Sequence, residues 1–212
     1  MIRLGVGMVL GLIVYLGLQL TRPKSTGAPP SLAPTTSPTV APSTLLGLQS
    51  GNAPWSAGND PNDLKTRLAA IGLPALGTEG QVLHIHQHLD IYVNGSPVRV
   101  PADIGISADR SFLSDLHTHD ATGIIHVESP TKRAFTLRQF FDVWGVTFTR
   151  TCIGGYCNSG GATLTVYVNG HKVTGDPSLV VLRSFDEIVV AYGTPSQLPN
   201  PIPASFTFPT GL

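Results

Sequence analysis

The chain has 212 residues, enough for one domain with appendages, and only 12% of them are charged. Thirteen Lys and Arg balance thirteen Asp and Glu, so there is no basic excess to neutralise phosphates and nucleic acid is not an expected partner. Twenty-three glycines and eighteen prolines suit a turn-rich β domain beside an extended segment.

Leu4 to Leu20 is a nearly continuous apolar run, broken only by glycines and Gln19, with Arg3 before it and Arg22 and Lys24 after it. Its length lies between a signal-peptide core and a spanning helix. No A-x-A cleavage pattern is convincing near Gly27 and Ala28, so residues 1–22 read as an uncleaved single-pass membrane anchor in preference to a cleaved signal. From Pro23 to Thr44 the chain is Pro, Ser, Thr and Ala with six prolines, and nothing is charged between Lys24 and Asp60. Such a stretch cannot offset its ordering entropy by burial, so residues 23–59 are expected to be an extended linker. Residues 60–212 are then the folded domain. It is placed on the extracytoplasmic side of the cell membrane, or secreted if the first segment is removed.

Asp60-Pro61 reads as a helix N-cap followed by proline at the first helical position; Leu64, Leu68 and Ile71 recur at helical spacing, and Gly72 stops the helix. From Val82 to Val93 apolar and polar residues alternate, and Asn94-Gly95 turns the chain into Pro97–Val100. Gly123 to Glu128 reads as a further strand and Thr136 to Trp144 as a helix closed by Gly145. Leu164 to Val168, again followed by Asn-Gly, starts a second hairpin, and Glu187 to Tyr192 is the last strand. LDIYVNG at 89–95 returns as LTVYVNG at 164–170: either two related ββ units or one hairpin chemistry used twice. The expected class is α+β, a small mixed or antiparallel sheet of two hairpin units with one or two short helices, of the β-grasp kind.

Six of the seven histidines fall in two stretches. In LHIHQHLD the strand alternation puts Leu83, Ile85, Leu89, Ile91 and Val93 on one face and His84, His86 and His88 on the other. The aliphatic face must be the core face, since a one-residue slip would bury three imidazoles instead. Neighbouring histidines of such a row are about 7 Å apart at Cα and can bend onto one ion, whereas His84 and His88 are too far apart to share it. The second stretch repeats the spacing as His117 and His119 and adds His126. A lone H-x-H is ordinarily solvated strand surface. Two pairs plus a further histidine, in a chain so poor in charge, offer more imidazole than a four-coordinate site needs.

Metal binding is therefore expected from His84, His86, His88, His117, His119 and His126, with the two H-x-H pairs converging on one ion. Asp90, Asp120 and Glu128 are placed to ligate or to orient a histidine from behind. Imidazole suits Zn and Cu alike, and with Met1 and Met8 both in the anchor segment 1–22 no thioether site is available for Cu(I). His171, after the second Asn-Gly turn, reads as a solvent-facing hairpin residue.

Better-known patterns are approached and missed. The first stretch lacks the acidic residue and glycine spacing of a cupin motif, and HTHD at 117–120 has its Asp one residue early for a metallo-β-lactamase. H-E-x-x-H, G-x-S-x-G and the P-loop are absent.

Together HIHQHLDIYVNG, LHTHDATGIIHVES, FTLRQFFDVWG and the late YVNG…DEIVVAYG resemble a largely uncharacterised family of secreted or membrane-anchored prokaryotic proteins. The resemblance spans residues 60–212, implies the compartment and the domain limits, and carries no catalytic residues with it. Cys152 and Cys157 bracket four residues; outside the cytoplasm such a pair is expected as a disulfide, the rivals being a thiolate pair at the metal or a redox pair, for which the spacing is not C-x-x-C. Three functions fit: a metal-binding module for sequestration, delivery or sensing; a metalloenzyme with an open coordination position and Glu128, Asp120 or Asp90 as base; and a structural module whose metal only fastens the fold.

Overall fold

The structure, a computed structural model, describes residues 48–212. The apolar run and the linker as far as residue 47 lie outside them. No helix among the described residues is long and apolar enough to cross a membrane.

Helix α1 (Pro61–Ala70) starts where the sequence places it, with the Asp60 carboxylate accepting from the backbone N–H groups of Asn62 and Asp63 at 3.0 and 3.1 Å. Leu64 and Leu68 are its buried stripe. Helix α2 (Leu137–Trp144) is held by a reciprocal capping box between Thr136 and Gln139 and is ended by Gly145 at φ 76°. It buries Leu137, Phe140, Phe141, Val143 and Trp144, each contributing about 1.5–3 kcal/mol by leaving water.

Nine strands form among the described residues: β1 (Leu83–Val93), β2 (Ser96–Val98), β3 (Leu116–His117), β4 (Ile124–Ser129), β5 (Cys152–Ile153), β6 (Tyr156–Cys157), β7 (Thr163–Val168), β8 (His171–Lys172) and β9 (Glu187–Gly193). The main sheet runs β3-β4-β1-β9-β7-β8, with β2 pairing the far half of β1. Every pairing is antiparallel except β1 with β9. This is the α+β mixed sheet expected. Reading β2-β1-β9-β7-β8 across it, two hairpins flank a last strand parallel to the first, the β-grasp plan that a helix between two hairpins suggests. The two echoing segments lie on either side of β9, where Ile91 and Val166 both face Val190. Asn94 and Asn169 take positive φ (51° and 50°), as does the glycine after each, which is the backbone that two-residue hairpin turns need.

The sheet packs one face on the helices. Leu89, Ile91, Val93, Leu116, Ile125, Val127, Ile188 and Val190 join Phe140, Phe141 and Trp144 in one core. Gln87 interrupts this apolar face; its side-chain amide donates to the Ile125 carbonyl at 2.9 Å.

Order begins earlier than the expected boundary at residue 60. Gln49 bridges to Val146, and Trp55 is buried edge-on against Trp144 with ring centroids 5.9 Å apart. An apolar aromatic ring within an otherwise polar, glycine-rich stretch is enough to dock that stretch on the core. A variant lacking residues 1–44 is therefore expected to unfold cooperatively and to keep its metal content. A broad, non-cooperative melt by circular dichroism would show that the removed segment is part of the fold.

Cys152 and Cys157 face each other across the small β5–β6 hairpin and are joined as a disulfide, with Tyr156 against Trp55 and Tyr192. Serine at both positions is expected to cost about 2 kcal/mol, the chain-entropy value for a short loop, and to leave bound metal unchanged. Elemental analysis of the variant decides it: lost metal would put the thiols in the metal site.

Candidate metal centre

Pairing register brings the two histidine stretches together. His86 on β1 lies opposite His126 on β4, and His126 lies opposite His117 on β3, so three imidazoles form one row across three strands. One step along, His84 faces Glu128, and His119 follows β3 two residues beyond His117. All six project from the sheet face opposite the helices, because residues paired across strands point to the same side.

The ring nitrogens converge. Nε2 of His84 and Nε2 of His86 are 3.2 Å apart, and so are Nε2 of His117 and Nε2 of His119. Two nitrogens on one tetrahedral ion with bonds of about 2.0–2.1 Å sit about 3.3–3.4 Å apart, so each H-x-H pair is spaced as one edge of a coordination tetrahedron. Second hydrogen bonds set the tautomers. His117 Nδ1 donates to the Ser114 carbonyl at 3.0 Å, and His126 Nδ1 donates to Glu128 Oε1 at 3.0 Å. In the neutral ring each donation leaves the Nε2 lone pair free for a ligand.

Glu128 is the centre of the arrangement. It is 3% exposed, and the basic groups within ion-pair distance of it are imidazoles: His126 at 3.0 Å, His84 at 3.2 Å and His117 at 3.9 Å. Its Oε2 is enclosed and accepts no hydrogen bond among the described residues. Burial works to raise its pKa, but the His126 hydrogen bond and the field of His117 and His84 outweigh it, leaving a carboxylate well below the usual range. Two of the histidines around it, His86 and His117, resist taking the balancing proton. Burial, with His126 and His84 beside it, lowers His86 to about 4; burial also lowers His117 to about 4, against the pull of Glu128. A buried anion beside two imidazoles that burial disposes against protonation is a site made for a cation with open coordination positions.

Two ligand sets result. His84, His86, His126 and Glu128 form one and His117, His119, His126 and Glu128 the other, with the ligand atoms of each set within 4.8 Å of one another. Thus five of the six expected histidines, and Glu128, come together.

His88 stands apart, two residues further along β1. Its Nδ1 lies 2.7 Å from Glu187 Oε2 and its Nε2 2.9 Å from the Thr122 carbonyl, while Phe206 stacks on the ring at 3.7 Å. Burial pushes its pKa down, but the Glu187 hydrogen bond and charge and the Thr122 carbonyl bring it above the ordinary value. Both nitrogens acting as donors leave no lone pair for the cluster. With Asp90 and Glu187 it makes a separate group of potential ligands. Gly123, at φ 92°, closes the turn beneath it, where a Cβ would lie 2.6 Å from the Leu89 carbonyl and 3.0 Å from His88 Nε2. Asp120 accepts from the backbone N–H and the hydroxyl of Thr122, which lower its pKa and make it a turn residue. His171 is exposed on β8.

Two acidic groups escape sequence reading. Glu79 Oε1 lies 3.5 Å from His119 Nε2, and Glu187 reaches His88 because β9 runs parallel to β1 with the two residues paired. Nearness to the first stretch could have flagged Glu79; no local pattern could have flagged Glu187. Comparison with protein-family models, curated proteins and solved structures finds no match to the chain.

Proposed function

We propose that the protein is a transition-metal binder, taking Zn(II) or Cu(II) on paired H-x-H motifs for sequestration, delivery or sensing at the extracytoplasmic side of a membrane. One observation carries the metal reading: the Glu128 carboxylate is enclosed among five imidazoles, and within each H-x-H pair the nitrogens already stand at tetrahedral spacing. Neutral nitrogen donors with one carboxylate suit Zn(II) and Cu(II) better than Mg(II) or Ca(II), which prefer oxygen.

Exchange is favoured over a purely structural role by where the ligands sit. The side chains of His84 and His119 are 47% and 44% exposed, so an ion can enter and leave at this rim while His86, His117 and Glu128 hold it from below. A metal that only fastened the core would be expected among buried ligands. The tether rests on the apolar run Leu4–Leu20 and its flanking Arg3, Arg22 and Lys24.

The test is elemental analysis of the purified chain, followed by titration of the stripped chain with Zn(II) and Cu(II) at pH 7.5. Stoichiometric uptake with exchange in minutes is expected. No uptake of either ion would end the metal reading, and uptake that never exchanges would return the structural module.

A further inference from the structure

We propose that the cluster holds two transition-metal ions bridged by the Glu128 carboxylate, a proposal that rests on the metal-binding reading above. The two H-x-H pairs do not belong to one set of mutually close ligands. Each has its own partners, and the sets overlap only at His126 and Glu128. Bonds of about 2.0–2.1 Å keep any two donors of one ion within about 4.2 Å of each other. Each H-x-H pair meets that condition at 3.2 Å, while the two pairs fall in separate sets.

The two carboxylate oxygens divide between the pairs. Oε1 lies 3.2 Å from His84 Nε2, and Oε2 lies 3.9 Å from His117 Nε2. Both separations fit two donors on a common ion. Oε1 already accepts from His126, whereas the enclosed Oε2 accepts from nothing described, so an ion beside His117 and His119 supplies the partner it lacks. A carboxylate binding through both oxygens suits two ions about 3.5–4 Å apart, the usual spacing of two-metal sites.

Donor count makes the two positions unequal. Each ion receives one H-x-H pair and one Glu128 oxygen. His126 has a single lone pair, at Nε2, and completes one tetrahedron only. The other ion keeps three protein donors and a fourth position open to solvent or to an exchangeable donor from outside. A bound ion held by four protein donors and a more open one beside it make a centre that can retain one metal while trading the other.

The experiment titrates the stripped 212-residue chain with Zn(II) and reads the ions bound per chain. His84→Ala and His119→Ala are the variants, chosen because both side chains are partly exposed and their loss leaves the core untouched. Two ions in the unaltered chain and one in each variant is the expected result. Loading with Cu(II) should then give the spin-coupled paramagnetic resonance spectrum of a bridged pair. Saturation at one ion overturns the two-ion centre and leaves the metal reading standing. Two ions with an uncoupled spectrum overturn the bridge. No binding by the unaltered chain overturns the metal reading itself.

Discussion

Glutamine in place of Glu128 is expected to weaken transition-metal binding by more than 100-fold, the largest effect of any single change in the chain. The substitution keeps shape, and the amide oxygen can still accept from His126 Nδ1, so the row His86–His126–His117 stays aligned. What disappears is the one negative charge that the described residues bury within the ring of imidazoles. Mutations that merely disturb a group supporting a metal ligand cost roughly 10–100-fold, and removal of a charged ligand should exceed that. Competition titration with a chromophoric chelator measures it. Affinity within threefold of the unaltered chain would mean that Glu128 only orients His126 and that the metal is held by imidazole alone.

Acidification of the metal-free chain should destabilise it, and steeply. His86 and His117 sit near pKa 4 when folded, against about 6.5 for an unfolded histidine. The unfolded chain therefore takes up protons that the folded chain refuses. The stability these residues contribute is complete above about pH 6.5 and is lost progressively as pH falls toward 4. A shift of this size is worth about 3 kcal/mol for His117, which is fully enclosed, and less for the partly screened His86.

His88 opposes them. Its pKa is raised on folding, so its contribution is complete below the unfolded value and fades as pH rises through the folded one. Glu128, held low, loses its contribution only in stronger acid. The net expectation is a urea midpoint about 1–2 M lower at pH 5.0 than at pH 7.5, taking a slope of about 1–3 kcal/mol per molar. Saturating Zn(II) at pH 7.5 should widen the difference, because binding stabilises only the folded chain. Equal midpoints at the two pH values would show that His86 and His117 accept protons freely inside the fold.

Much of this was legible along the chain, and the reason is that local rules govern those parts. Asp60-Pro61 and Thr136 with Gln139 are caps whose hydrogen bonds reach two or three residues, so helix starts can be read directly. Asn94-Gly95 and Asn169-Gly170 impose their turns through backbone preference alone. The alternation in Leu83–Val93 separates aliphatic from histidine side chains in any sheet, whichever strands pair with it.

The rest depends on contacts between residues far apart in sequence. The sequence marks six histidines as one group, whereas the antiparallel register of β1 with β4 draws in His84 and His86 and the parallel register with β9 commits His88 to Glu187. Trp55 looks like linker until Trp144 is beside it. Asp90, Asp120 and Glu128 are equivalent as letters; opposite His84 in the register, Glu128 alone of the three becomes an enclosed carboxylate among imidazoles. The sequence by itself determined the two helices, the longer strands, the Asn-Gly turns and the face on which the histidines stand, since each follows from the conformational preferences of a few adjacent residues. The short strands Leu116–His117, Cys152–Ile153 and Tyr156–Cys157 needed their partners. Tertiary structure decided which donors share an ion and which carboxylate lies between them, because strand register turns separations of thirty or forty residues into about 5 Å.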